Sequence, residues 1–189
     1  MRASGWRRDR YHRCAIHRAY PDYLLRRLRR KTKESEPVDA YNKGIELLAR
    51  REHSARELKS KLARRGVDKD EVDSVLSTLQ SKDFQNDARF GEMLVRTRIE
   101  SGYGARWIIA ELKTHGITES KARDLIDAAE PDWPSIVRNQ IRRRYGGKPA
   151  ANLAERVKRA NFLLRRGFDA ATVQSATRAE GLESADELD

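Results

Sequence analysis

Few residues in this chain have the type and spacing to do chemistry. The four histidines, His12, His17, His53 and His115, show neither H-x-x-x-H nor H-E-x-x-H spacing and no cysteine-ligand pattern. They therefore predict no metal site. The single cysteine, Cys14, has no catalytic partner set beside it. One cysteine excludes an internal disulfide framework and suits a reducing cytosol. Gly146, Gly147 and Lys148 resemble the end of a phosphate loop, but the G-x-x-x-x-G-K-[ST] spacing is absent. Acid pairs such as Asp70 and Glu71 fit helix N-termini, where the backbone dipole favours negative charge. The residues predict no catalysis, no cofactor and no metal.

What remains is cationic. The 189 residues hold 40 Lys/Arg and 29 Asp/Glu, a net charge of +11. Residues 1–38 carry 12 bases and 4 acids, and Trp133 to Ala170 carries 10 bases against Glu155 and Asp169. The last ten residues, EGLESADELD, hold five acids and no base. Such asymmetry points to a polyanionic partner. The clusters are Arg50 and Arg51; Arg64 and Arg65; Arg142, Arg143 and Arg144; Lys148, Arg156, Lys158 and Arg159; and Arg165 and Arg166. Cations at a helix C-terminus are stabilising by roughly 0.3–1 kcal/mol each, which accounts for one or two per end but not for three in a row. The third stretch is therefore the strongest candidate for a phosphate- or acid-binding face. Aromatic content is 7%, too sparse for a single-strand stacking platform. Trp107, Trp133, Phe162 and Phe168 are expected to pack in cores.

The elements that position these clusters follow from a repeat. Glycine, an apolar residue and a small oxygen-bearing residue recur at Gly66-Val67-Asp68, Gly116-Ile117-Thr118 and Gly167-Phe168-Asp169, at intervals of 50 and 51 residues. Each glycine ends one helix, and the oxygen-bearing residue caps the next. Upstream, Ala40, Tyr41, Ile45, Leu48 and Ala49 form a helical stripe. Ser54 and Glu57 read as a capping box, and Asp68 with Glu71 imitates one. Leu58 and Leu62 line the inner face of the second helix, and Ile108 and Leu112 repeat them 50 residues on. His53 is expected to pack at the helix junction. The third unit has room for a longer middle helix after a Gly-Gly-Lys-Pro loop. No segment alternates with period two for long, so strand content should be near zero.

These signals predict an all-α fold of three tandem three-helix repeats in an elongated, curved arrangement, preceded by a largely disordered basic arm. The expected bounds are 1–37 for the arm, 38–83, 85–130 and 132–180 for the repeats, and 181–189 for an acidic tail. The arm has no sustained apolar stripe except a short helical stretch from Tyr23 to Arg30. It lacks the apolar core of a secretory signal, and no run of 18 apolar residues spans a membrane. A cytoplasmic, membrane-free location is expected.

The stretches RREHSARELKSKLARRG (50–66), GYGARWIIAELKTHGI (102–117) and FLLRRGFD (162–169), in this order, resemble the RecX regulatory proteins of bacteria. The resemblance covers about residues 38–180. It implies a non-enzymatic regulator that binds the filament of the RecA recombinase on DNA; a monomer is expected. Such a protein lies in the filament groove and inhibits ATP hydrolysis, strand exchange and repressor autocleavage. DNA, single- or double-stranded, would be met mostly through its backbone. The residues by themselves leave two alternatives open: an autonomous helix-turn-helix DNA-binding protein, and an α-helical scaffold for acidic protein partners.

Overall fold

Three glycines set the corners of the chain. Gly66, Gly116 and Gly167 have φ of 84°, 89° and 88°, the left-handed region in which a side chain is disfavoured. At each corner the glycine N–H bonds the carbonyl three residues back, on Ala63, Lys113 and Leu164, at 3.0–3.1 Å. The following N–H, on Val67, Ile117 and Phe168, bonds the carbonyl of Leu62, Leu112 and Leu163 at 3.1–3.3 Å. This is the Schellman pairing, with its apolar contact formed by the two residues that bracket it. All six of those side chains are buried, so the recurring motif makes a helix stop and tucks the corner into a core.

The computed structural model describes residues 37–186, which form nine helices. They are α1 Pro37–Leu48, α2 Ala55–Arg64, α3 Lys69–Ser81, α4 Asp87–Glu100, α5 Ala105–Thr114, α6 Glu119–Ala128, α7 Trp133–Tyr145, α8 Leu153–Arg165 and α9 Ala170–Asp186. No strand occurs among the described residues, and no helix there is long and apolar enough to cross a membrane. The expected arm, with Cys14, His12, His17 and the Tyr23–Arg30 helix, lies outside the described residues apart from Pro37. So do the last residues of the acidic segment. The middle helix of the third unit is 13 residues long against 10 in the others, as the longer spacing predicts. The final helix runs on to Asp186, into the stretch expected as a separate tail.

Helix ends follow local chemistry. Ser54 accepts from the Glu57 N–H at 3.1 Å, Thr118 from Lys121 at 3.4 Å and Asp169 from Thr172 at 2.8 Å. Asp68 differs from expectation: its backbone stands at the N-cap, but its side chain makes no cap bond. Asn152 caps α8 through the Glu155 N–H at 2.9 Å.

Each triplet closes on its own apolar cluster. Leu47, Leu58, Leu62, Val72, Val75 and Leu79 dominate the first. Phe90, Val95, Ile108, Leu112 and Ile126 dominate the second, and Val137, Ile141, Phe162, Leu163, Phe168 and Val173 form the third. Trp133 packs against the second and third alike. The stripe expected on α1 is rotated: Leu47 is buried, Ala49 is exposed, and Tyr41, Ile45 and Leu48 are half-buried. Gly44 explains the rotation, since a Cβ there would stand 2.8 Å from Leu79 Cδ1. The missing side chain lets α1 settle directly on α3. A fully buried leucine contributes about 1.5–3 kcal/mol, so clusters of this size leave each repeat dependent on its neighbours.

Candidate functional site

Neighbouring repeats meet along two polar seams that reuse one arrangement. The start of a middle helix docks on the corner of the next repeat. At the first seam, the Ser54 hydroxyl oxygen accepts from the Glu57 N–H and is also hydrogen-bonded with His115 Nδ1 at 3.0 Å. The Ala55 N–H donates to Asp87, and Arg56 donates to the Thr114 carbonyl. Gln85 reaches the His53 carbonyl at 3.1 Å, and Arg89 pairs with Glu52 at 3.0 Å. At the second seam the backbones touch directly. The Gly104 N–H bonds the Arg166 carbonyl at 2.9 Å, and the Arg106 N–H bonds the Gly167 carbonyl at 3.0 Å. His53 packs in the first junction as expected, 2% exposed, with Nδ1 2.9 Å from Glu57. Burial pushes the Glu57 carboxyl up, but hydrogen bonds and charge from Arg51 and His53 outweigh it and bring its pKa to about 2. The roles of Ser54 and His115 across the seam escape sequence reading, because the partners lie 61 residues apart.

The expected basic residues divide into surface and structural groups. Arg50, Arg51, Arg64, Arg65, Arg142, Arg143, Arg144, Lys148, Lys158 and Arg165 are exposed, and Arg156 is half-buried. Arg51 is committed to Glu57 and the Glu52 carbonyl, and Arg65 lies 3.5 Å from Glu46. Two assignments need correction. Arg159 is 1% exposed and cannot present its charge on a face. Its guanidinium donates to the carbonyls of Lys148 and Pro149 and to Glu155, and lies 4.8 Å from the Tyr145 ring centroid. That hydrogen bond, then one from the Ala151 N–H, holds the Glu155 carboxyl below its usual range. Arg166 is a fastener of the second seam. It donates to the carbonyls of Ser101 and Gly102 at 2.9 and 3.1 Å and stacks over Tyr103 and Phe162. Arg159 with Tyr145 thus does within the third repeat what Arg166 with Tyr103 does between the second and third.

The free-facing charge gathers on the third repeat. Arg142, Arg143 and Arg144 fill the last turn of α7, and Arg144 lies over the same Phe162 ring as Arg166, 4.6 Å from its centroid. Beside them a cleft of about 830 Å³ opens between α7 and α9, lined by Ser135, Arg138, Asn139, Arg142, Thr172 and Ser175 among others. Arg138 was not among the residues singled out from sequence, although its i, i+4 spacing to Arg142 is visible there. Hydroxyl, amide and guanidinium donors on one wall suit oxyanions. Among the described residues no three potential metal ligands converge.

These features define a class: a tandem helical-repeat protein whose polar groups are spent on seams and whose remaining cations crowd one repeat. Family models for the first, second and third three-helix domains of RecX match residues 40–79, 86–129 and 135–177. The chain is 40% identical over 150 residues to a regulatory protein RecX of Stenotrophomonas maltophilia, covering 79% of this chain and 90% of the relative. It is 40% identical over 149 residues to one from Xanthomonas axonopodis pv. citri, with the same coverage. In fold it matches the crystal structure of RecX from Lactobacillus salivarius, with a TM-score of 0.64 at 20% identity, over 77% of this chain and 97% of that one. A second crystal structure of a regulatory protein RecX gives a TM-score of 0.65 at 19% identity, over 83% and 78%. The chain belongs to the RecX family of regulatory proteins.

Proposed function

We propose that this protein binds the filament formed by the RecA recombinase on DNA and inhibits it, without catalysing a reaction of its own. Family membership supports the regulatory role, and the relatives' name carries no more than that. The observation that carries the reading is the charge on the third repeat: three consecutive arginines at the end of α7, beside an arginine-lined cleft. Phosphodiester backbone is the polyanion a filament offers along its length. The protein acts in the cytoplasm as a monomer, with domains close to 38–83, 85–130 and 132–180, and the seams hold the three repeats in register on the filament. Autonomous groove reading is disfavoured by the residues that follow each corner. Asp70 and Glu71 open α3 and Glu119 opens α6, and such acids repel phosphate.

The test is a titration of RecA ATP hydrolysis on single-stranded DNA. The wild-type chain should inhibit at or below equal protein. Replacing Arg142, Arg143 and Arg144 together by Glu should weaken inhibition while leaving helicity unchanged. For three lost phosphate contacts the salt dependence should flatten by about 2 in log–log slope. Undiminished inhibition by the triple variant at matched salt would remove these residues from the interface.

A further inference from the structure

The first two middle helices each use one outer position to reach the next repeat. Arg56 sends its side chain to Thr114, and Arg106 gives its backbone N–H to Gly167. The corresponding residue of α8, at the 51-residue interval, is Val157. The described residues hold no fourth repeat. Val157 is 50% exposed, and Leu153 and Leu164 are 67% and 41% exposed. At 100° per residue these three fall within about 40° of one another around α8, nearly opposite the buried Arg159, Phe162 and Leu163. The positions matching Leu164 hold Ala63 and Lys113. The apolar stripe is therefore peculiar to the third of these repeats.

Several bases edge the stripe. Lys158 and Arg165 are exposed on one side, and Arg156 is half-buried on the other. The only acid on α8, Glu155, is bound to Arg159. A second copy is a poor occupant for two reasons. Its open corner is Arg64-Arg65-Gly66, which would set two exposed arginines against these bases. The docking position equivalent to Gly104 is Glu155, inside α8, and the loop of residues 146–152 supplies the carbonyls of Lys148 and Pro149 to Arg159 of the same chain. Residues 1–36 of this chain are excluded by their own positive charge. A phosphodiester backbone suits the bases but leaves the three apolar side chains uncovered.

We infer that the outer face of α8, centred on Val157, docks a protein surface with an apolar centre and acidic edges. On the filament-binding reading, from which the probe follows, that surface belongs to the recombinase subunits, while the α7 end and its cleft face the DNA. The interaction couples burial of Leu153, Val157 and Leu164 to charge pairing at the rim, the arrangement of a small interface core within a polar border.

The experiment measures binding of the full chain to RecA filaments on fluorescent single-stranded DNA, and to the same DNA alone. One variant carries Leu153→Ser, Val157→Ser and Leu164→Ser. A second carries only V157R, which restores the residue type of the other repeats and perturbs the fold least. Both should keep the wild-type melting curve. Filament affinity should fall about tenfold or more for the triple variant, with bare-DNA affinity unchanged within about twofold. Wild-type filament binding by both variants overturns the inference and leaves the proposed function standing. Equal losses on filament and bare DNA assign the face to nucleic acid and also overturn it. Sedimentation showing a wild-type dimer that the variants dissolve gives the face to a second copy, against the inference. A wild-type chain that binds no filament sinks the proposed function and the inference with it.

Discussion

Replacing Gly104 by alanine tests whether the seams make three small repeats into one cooperative unit. Gly104 has φ of −88°, so alanine meets no backbone strain there. Its Cβ, however, would lie 2.4 Å from the carbonyl carbon of Gly167 and 2.4 Å from the nitrogen of Phe168. Backbone atoms cannot swing aside as a side chain does, so the second seam must open. Two backbone hydrogen bonds cross it here, each contributing about 1 kcal/mol net. Overpacking adds about 1–3 kcal/mol. A loss of about 3 kcal/mol corresponds to a Tm lower by roughly 6–12 °C for a chain of this size. Gly116→Ala is the control: nothing lies within 4 Å of its Cβ, and only its φ of 89° penalises it, at about 1–2 kcal/mol. Thermal and urea unfolding followed by circular dichroism gives both numbers. G104A should also broaden or split the transition, because the third repeat loses its coupling to the second. A single sharp transition within about 0.5 kcal/mol of wild type would refute the claim that this contact holds the repeats together.

Arg159→Met removes a buried charge-assisted donor from the Lys148 and Pro149 carbonyls and should cost about 2–3 kcal/mol; an Arg159 whose loss is silent in urea unfolding would put the cation back on the surface. Glu57 titrates at about 2 in the folded chain against an ordinary 4.5, so the native state binds fewer protons than the unfolded state between those values. Its stabilisation is complete above about pH 4.5 and is lost as pH falls toward 2; Glu57→Gln should flatten the stability curve in that window, and an unchanged acid limb would show that Arg51 and His53 do not act on it. Ser54→Ala should cost about 1 kcal/mol for the cap and more for the His115 bond, and His115→Ala, which also loses its contact with the Phe90 ring, should cost less in that background than in the wild type, the double-mutant signature of a shared contact.

The repeat was legible because its cause is local. A glycine at a left-handed corner and a buried residue just after it are fixed by sequence spacing alone, and so is an oxygen at the following cap, as with Gly116, Ile117 and Thr118. Length was legible too, since the extra residues before Leu163 had to lengthen α8 or its loop, and they did both. What stayed hidden depends on contacts between distant residues. Nothing near Arg159 marks it as interior: it stands in a run of bases, and only the carbonyls of a loop about ten residues back reveal its use. Arg166 looks like Arg165 in sequence, but one is bound to the end of α4 and the other faces outward. The rotation of α1 followed from Gly44 meeting Leu79, a pairing that helical periodicity cannot anticipate.

The division of labour between Arg159 and Arg166 bears on how the third repeat differs from the second. Arg166 binds the carbonyls of Ser101 and Gly102, just after α4, and lies over Tyr103, while Arg159 binds the carbonyls of Lys148 and Pro149, in the loop after α7, and lies over Tyr145. Arg166 does so from the following repeat, which ties two repeats together. Arg159 does so from its own repeat, and so fastens the loop after α7 to α8 rather than one repeat to another. The longer α8 places Glu155 inside the helix, whereas the equivalent Gly104 stands ahead of α5 as its N-cap. The face of α8 around Val157 is left apolar and exposed. Valine and two leucines exposed there, with bases at the rim, fit the protein-docking surface inferred for α8.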